Sequence, residues 1–554
     1  MRMPTNNQEE LDALREALRI AQEAAAQASR DAEQAIKDAE QARIERAESD
    51  KERTTLRNEV RLLKAQCDLL TERLNARIRQ LFAAKSEVRG SDQRDFFFNE
   101  AEALAPDAAI SSKPAAGEDE EVEIKGHKRA KRGRKPLDPN LPRETVRIEL
   151  PEADRLCPHD GAALVEIGVE ASEQYHVIPQ QVRVLRTERV KYACPCCDHG
   201  MRTTALPPRI VPKGVLSEAT LAWVITSKYQ DALPLYRQAA LLARFGGEIS
   251  RNTLAANVIA CGQAVQPIIN LMRDALFEQN VIHGDETEVQ VLKEPGRAAQ
   301  RKSYMWMQAT ASGPPIRLFA YGPTRSGAFA KDLYAGIRPG TILLTDGYDG
   351  YDAMAAAYKL VHHGCWVHAR RGFVKALDAL PKTARTREQP AAQMIEAIAE
   401  LYRLETAAKD FAIEERLQMR REQSSRVLQR IESLLLAHQH TVVPGSELGK
   451  ALFYLASQWP KLVRFLERGD VGLDNNVCEN ALRPFVIGRK NWLFSDTVAG
   501  AKASANLYSL IETAKACGIE PYDYLREIFV RLPVAKTADD YEALLPWRVA
   551  SSKS

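Results

Sequence analysis

Val281-Ile282-His283-Gly284-Asp285-Glu286-Thr287-Glu288-Val289-Gln290-Val291 opens apolar and then alternates, the pattern of a strand that runs out of a core. It carries Asp285. Tyr304–Gln308 and Ile316–Tyr321 read as the next two strands, joined through Gly313-Pro314-Pro315. Thr341-Ile342-Leu343-Leu344-Thr345 reads as a buried strand that delivers Asp346 at its end, and Gly347 and Gly350 then turn the chain. Asp349 and Asp352 compete with Asp346. Only Asp346 directly ends the apolar run; the other two look like turn and helix-cap residues.

A third acid comes much later, in Leu473-Asp474-Asn475-Asn476-Val477-Cys478-Glu479-Asn480-Ala481-Leu482-Arg483-Pro484. Asp474, Asn475 and Asn476 read as a helix N-cap, whose side-chain oxygens accept orphan backbone N–H groups. Glu479 then lies on a short helix with Arg483 four residues on, on the same face. Pro484 predicts a kink or a stop, and Arg489 and Lys490 follow. A plain reading is a surface Glu–Arg pair, which contributes little. The chemical reading is a metal-binding acid among phosphate-binding cations. Two carboxylates at strand exits and a third on a helix can hold two divalent ions. Oxygen ligands without a histidine cluster select Mg²⁺, with Mn²⁺ as a substitute, over Zn²⁺.

The totals bound the rest. A chain of 554 residues predicts three or four domains. Its 45% hydrophobic and 27% charged content is that of globular protein. The net charge of +3 hides strong segregation along the chain. No apolar run approaches the ~20 residues of a membrane span, and the polar N-terminus has no signal-peptide core. Nine cysteines, four of them between Cys157 and Cys197, point to a reducing compartment and a metal site rather than a disulfide framework.

From the N-terminus, Leu11, Leu14, Leu18, Ala21, Ala25 and Ala28 begin a three-and-four spacing that resumes at Leu56, Val60, Leu63, Cys67, Leu70 and Leu74. This predicts a long coiled-coil helix, its first half weak because alanine buries little area. An oligomer or an internal hairpin would cover the seam; a single solvated helix is the plain reading. An acidic linker ending in Glu118-Asp119-Glu120-Glu121 precedes Lys125–Pro136, where seven of twelve residues are cations. Arg132-Gly133-Arg134 before Lys135 and a proline has the character of a minor-groove arm; the plain reading is a solvated basic linker.

Cys157-Pro158-His159-Asp160 and Cys194-Pro195-Cys196-Cys197 flank about 35 strand-like residues, which looks like a zinc ribbon. Cys157, Cys194 and Cys197 are the expected ligands. Asp160 stands where a second cysteine belongs, and His159 could take its place as a tight chelate. Val211 to Leu276 reads as helical. Leu235–Leu242, Phe245-Gly246-Gly247 and Ser250-Arg251 outline a helix-turn-helix, although any helical hairpin could look so.

Between the second and third acids, the helix-rich span from Ala376 to about Val443 is too long for a loop and predicts an inserted helical domain, with Met394, Ile398, Leu401 and Tyr402 on its apolar face. His368, Arg370 and Arg371 precede it. Arg371 and Arg489 suit phosphate, because a guanidinium engages two oxygens at once.

His283-Gly284-Asp285-Glu286-Thr287, Leu344-Thr345-Asp346-Gly347-Tyr348, Cys365-Trp366-Val367-His368-Ala369-Arg370-Arg371, Asn475–Asn480 with Arg483-Pro484, and Gly488-Arg489-Lys490-Asn491-Trp492 together resemble the insertion-sequence 66 family of DDE transposases. The resemblance covers nearly all of the chain from Lys125 on, including Tyr508–Lys515. It implies a multidomain α/β protein with a ribonuclease-H-like core whose triad maps onto Asp285, Asp346 and Glu479. It also implies binding of element ends in double-stranded DNA and transfer of 3′-hydroxyl ends to target DNA. His368 would then lie near the metals and help place phosphate or water; the plain alternative is a structural histidine ending a strand.

The expected organisation is a coiled coil over 1–100, an acidic linker over 101–124, a basic arm over 125–150, a zinc-ribbon-like module over 151–207 and a helical DNA-binding segment over 208–280. A catalytic domain over 281–515 follows, with its insertion at about 376–443, and then a helical tail over 516–554. Expected DNA contacts are Arg132, Arg134, Lys135, Arg251, Arg371, Arg483, Arg489 and Lys490. The expected partners are DNA, further copies of the chain through the coiled coil, and accessory proteins of the same element. The expected setting is the bacterial cytoplasm at the nucleoid, with no membrane. A catalytically silent, architectural DNA-binding protein with the same fold is the alternative function.

Overall fold

The computed structural model describes residues 6–82, 145, 181–192 and 202–553. These fall into two compact units. The larger takes in the described residues 6–82, 206–235 and 251–553, and the smaller takes in 145, 181–192, 202–205 and 236–250.

In the larger unit, α1 (Asn6–Phe82) is one unbroken helix, so no hairpin folds its seam onto itself. In the smaller unit, β1 (Lys191–Tyr192) pairs antiparallel with β2 (Arg202–Thr203). Four helices follow: α2 (Glu218–Tyr229), α3 (Leu235–Arg244), α4 (Arg251–Ala264) and α5 (Gln266–Phe277). α3 from Tyr236 on belongs to the smaller unit, and α2, α4 and α5 belong to the larger. Among the described residues no single helix is long and apolar enough to cross a membrane.

The sheet that positions the site comprises β3 (Val281–Lys293), β4 (Lys302–Thr310), β5 (Arg317–Gly322), β6 (Ile342–Leu344) and β7 (Val361–His363), with α6 (Gly327–Leu333) and α7 (Gly350–Ala357) in the connections. Strand order is β5-β4-β3-β6-β7. The first three strands meander antiparallel, while β3, β6 and β7 run parallel. The β6 run is apolar throughout because it is buried on both faces, as parallel strands between helical layers are.

After α8 (Trp366–Ala379) come α9 (Pro390–Ala407), α10 (Ile413–Met419) with a π turn at Arg420–Ser424, α11 (Ser425–His438) and α12 (Glu447–Leu462). Met394, Ile398, Leu401 and Tyr402 face a shared core with Trp366 and Phe373 of α8 and Leu455 of α12. α13 (Asn476–Trp492), β8 (Ser495–Thr497), α14 (Val498–Ala516), α15 (Pro521–Arg531), α16 (Ala538–Glu542) and α17 (Pro546–Lys553) complete the chain. β8 pairs with the far end of β3. α14 closes the β5 edge: the amides of Phe319 and Arg317 donate to Ser509 Oγ and Thr513 Oγ1 at 2.8 and 3.0 Å. Those side chains substitute for a neighbouring strand and protect the edge.

Two local expectations are corrected. The helix bearing Glu479 is not short, and Pro484 neither ends it nor stops it before Trp492. One lost backbone bond is outweighed by the burial of Ala481, Leu482, Phe485 and Val486 on either side of the proline. Asn475 sits at the N-cap position but its side chain makes no cap bond. Asp474 Oδ1 takes the amide of Asn476 at 3.1 Å instead.

Candidate active site

β3 delivers Asp285 from the middle of the sheet, β6 ends one residue before Thr345-Asp346, and α13 brings Glu479 on its first turn. Asp285 and Glu479 are buried, and Asp346 is half-buried. The Asp285 carboxyl is raised well above its ordinary range, first by burial and then by the charges of Asp346, Glu286 and Glu479. The sequence-predicted acids therefore share one electrostatic site, although they are 61 and 133 residues apart along the chain (346 − 285 and 479 − 346).

Each acid is fixed by its surroundings. Asp285 Oδ1 accepts the amide of Glu286 at 2.8 Å. Asp346 Oδ1 accepts the amide of Tyr348 at 2.9 Å, and the Tyr454 hydroxyl of α12 donates to the Asp346 carbonyl at 2.6 Å. Gly347 holds φ at +88°, and a Cβ there would stand 2.7 Å from Gln458 Oε1, so this turn requires glycine. Asp352 is not part of the acidic group, because it binds Lys461 and His362 at 2.6 and 2.8 Å.

Glu479 does not pair with Arg483. Its partner is Arg371 of α8, which donates from Nη2 to Oε2. Arg483 is half-buried and its Nε is buried without a hydrogen-bond partner. His368 does not end a strand; it lies on the first turn of α8, with Nδ1 3.7 Å from Glu479 Oε1 and Nε2 3.3 Å from Arg371 Nη1. Arg donates there, so Nε2 accepts and the proton belongs on Nδ1, facing the carboxylate.

Arg489 and Lys490 occupy the last turn of α13, about 15 Å along the helix from Glu479. They do not join the acids; Arg489 lines a separate groove of about 310 Å³ with Glu288, Gln290 and Lys302. Arg251 is exposed at the start of α4. Arg132, Arg134, Lys135, Cys157, His159, Cys194 and Cys197 lie outside the described residues.

Two residues at the site have no sequence signal of periodicity. Glu286 is held by the Tyr351 hydroxyl and by Arg325 Nε, each at 2.5 Å. The same guanidinium reaches Asp346 Oδ2 at 3.5 Å and lies 3.8 Å from the centre of the Tyr348 ring. The one available cue was an arginine set between turn formers, in Pro323-Thr324-Arg325-Ser326-Gly327, just after a strand.

The donor set fits a hard divalent cation. Burial and then the charges of Asp346, Glu286 and Glu479 raise Asp285, and Glu479 Oε1 is buried with no hydrogen-bond partner. Among the described residues, the side chains that bring one ligand atom each within 4.8 Å of one another are Cys365, His368 and Glu479, a softer set that includes neither Asp285 nor Asp346.

Residues 213–503, more than half of the chain, match the family described as "Transposase IS66 family". The chain belongs to the IS66 family of transposases. Residues 154–198 match the zinc-finger binding domain of transposase IS66, residues 509–547 the IS66 C-terminal element, and residues 69–146 a segment described as "Transposase C of IS166 homeodomain". Similar proteins include two of Sinorhizobium fredii (strain NBRC 101917 / NGR234). Uncharacterized protein y4jD is 30% identical over 79% of this chain and 87% of its own length. Uncharacterized protein y4qI is 31% identical over 82% of this chain and 83% of its own length.

Proposed function

We propose that this IS66-family transposase cuts and joins DNA at the site formed by Asp285, Asp346 and Glu479, in a ribonuclease-H-like core. What supports this reading is that Asp346 and Glu479, from the end of β6 and from α13, add their charges to burial in raising the Asp285 carboxyl on β3. The sheet supports the core assignment, with three antiparallel strands followed by two parallel ones in the order β5-β4-β3-β6-β7.

Asp285, Asp346 and Glu479 would hold Mg²⁺ or Mn²⁺, which when bound supplies an activated attacking oxygen and charge stabilisation at the leaving oxygen. The chain's own groups set the geometry. Asn475 and Tyr454 fix the backbone beside the acids, His368 keeps a proton on Nδ1 facing Glu479, and Arg325 and Arg371, which contact Asp346 and Glu479, would offer their guanidinium groups to phosphate oxygens. In the first step a water oxygen bonds to phosphorus and the bond to the 3′ oxygen breaks, which frees a 3′-hydroxyl. That hydroxyl then attacks a target phosphodiester and displaces the target's own 3′ oxygen. No covalent link between protein and DNA is needed.

Cys157, Cys194 and Cys197 with His159 would hold Zn²⁺ in the zinc-finger module. Arg132, Arg134, Lys135 and Arg251 would contact the backbone of the element ends, and Arg489 and Lys490 the flanking strand. The reaction would take place in the cytoplasm at the nucleoid, with α1 joining copies of the chain so that two ends are held together.

The test is nicking of DNA carrying the element's ends, with and without Mg²⁺. Asp285→Ala, Asp346→Ala and Glu479→Ala should each abolish nicking and leave DNA binding intact. Metal-independent binding with no nicking by the unaltered chain would leave the architectural reading instead.

A further inference from the structure

We propose that Arg325 and Arg371 occupy two of the metal-binding carboxylates until a divalent cation and DNA arrive together, so that metal binding and DNA binding favour each other. This rests on the reading of Asp285, Asp346 and Glu479 as metal ligands.

Burying carboxylates without a cation is unfavourable, and here Asp285 and Glu479 are buried and Asp346 is half-buried. The protein offsets it internally at two of the acids. Arg371 pairs with Glu479 from α8, and Arg325 spans Glu286 and Asp346 from the loop after β5.

The Arg325 contacts are unequal, and the inequality indicates which end can let go. Its Nε sits 2.5 Å from Glu286, whose other oxygen takes the Tyr351 hydroxyl. Its plane lies over the Tyr348 ring, and the Tyr348 hydroxyl donates back to the Arg325 carbonyl. Its Nη2, by contrast, stands 3.5 Å from Asp346. The stem is fixed while the tip is loosely held on the acid that a cation would need. On the other side, Arg371 holds Glu479 through Nη2 and touches His368 Nε2 through Nη1.

A guanidinium fork fits phosphate as well as it fits carboxylate. A cation that claims Asp346 and Glu479 removes the acceptor from each tip, and a DNA backbone supplies another acceptor. In the metal-free chain each arginine therefore competes with the cation; in the DNA complex it does not. Linkage makes the effect reciprocal: DNA tightens the cation by the factor by which the cation tightens DNA.

The experiment is titration of Mn²⁺ into the full chain, read as the paramagnetic resonance of unbound ion, with and without a short DNA duplex and after subtraction of Mn²⁺ held by the duplex alone. DNA should raise Mn²⁺ affinity by on the order of tenfold. Arg325→Gln and Arg371→Gln should each raise Mn²⁺ affinity without DNA and shrink the DNA effect, an increase that a purely structural role would not produce. Variants that keep the wild-type unfolding temperature and bind Mn²⁺ no more tightly overturn the proposal. Should either variant fail to fold, the unaltered chain decides: equal DNA affinity with and without Mn²⁺ overturns it. Asp346→Asn separates the two failures. If that variant binds Mn²⁺ like wild type, the metal-site reading fails; if it loses Mn²⁺ while the arginine variants change nothing, only the competition fails.

Discussion

Asn475 donates its side-chain amide to the carbonyl of Gly284 at 2.9 Å, one residue before Asp285. The other end of the same amide accepts from His283 Nδ1 at 3.0 Å, and the Asn475 backbone amide reaches Cys365 Sγ at 3.3 Å. One fully buried side chain thus fastens the start of α13 to the middle of β3 and sets Glu479 one turn away from that anchor. It explains why Asn475 does not cap its own helix: its hydrogen bonds are committed across the fold.

Replacing Asn475 by Ala strips the Gly284 carbonyl and the His283 ring of their partner inside the protein. An unsatisfied buried polar group costs about 1–3 kcal/mol, so the denaturant midpoint should fall by a corresponding amount. Nicking should fall further than stability explains, because the third acid loses its register against β3. A variant as active as wild type would show that Glu479 is placed by other contacts.

The sequence revealed the strands and the acids because both follow local rules. β6 is an apolar run ended by Asp346, and β3 alternates around Asp285. The contacts that join the acids are not local: Asn475 and Gly284 are 191 residues apart. No periodicity encodes that bond, and Asn475 followed by Asn476 is just as good a helix cap. Pro484 does not stop α13, for the opposite reason. The local rule was right about the lost hydrogen bond, but the buried side chains around it outweigh that loss. Arg325 had only its place in a turn to mark it, since a charge that closes an acidic site looks the same in sequence as a solvated one.

Arg420 joins the helical insertion to the loop that leads into α13. It is 1% exposed, pairs with Glu405 at 2.6 and 2.8 Å, and donates to the carbonyls of Phe465, Arg468 and Val471. Arg420→Met leaves Glu405 and three carbonyls without that partner and should destabilise the chain by roughly 3–5 kcal/mol. Arg420→Lys keeps the charge without the fork and should recover only part of this. Full recovery by lysine in chemical unfolding would show that charge alone matters at this position.

His362 and His363 lie buried on β7, and each is lowered from 6.5 to about 4, chiefly by burial. The unfolded chain takes up these protons first. The stability they contribute is therefore complete above pH 6.5 and is lost as the pH falls toward about 4. The full loss is on the order of 3 kcal/mol per histidine. Unfolding midpoints should start to fall below pH 6.5, before ordinary carboxylates titrate, and His363→Gln should flatten that slope. An unchanged slope in the variant would assign the acid sensitivity to other groups.

α1 leaves its seam to solvent in the single chain: Leu14, Leu18, Leu56, Val60, Leu63, Leu70 and Leu74 are each between 59% and 69% exposed. Burying a leucine side chain is worth about 1.5–3 kcal/mol, so pairing the Leu56–Leu74 half supplies far more than the alanine-rich half. Sedimentation of the full chain at micromolar concentration should show a dimer or larger assembly. Leu56→Asn, Leu63→Asn and Leu70→Asn together should dissociate it, while the equivalent exchange of Ala21, Ala25 and Ala28 should not. The unfolding temperature of the sheet-bearing unit should stay the same in both variants, because the seam residues of α1 are exposed and add nothing to its core. A chain that sediments as a monomer before any substitution would leave the seam solvated and require another way to hold two DNA ends together.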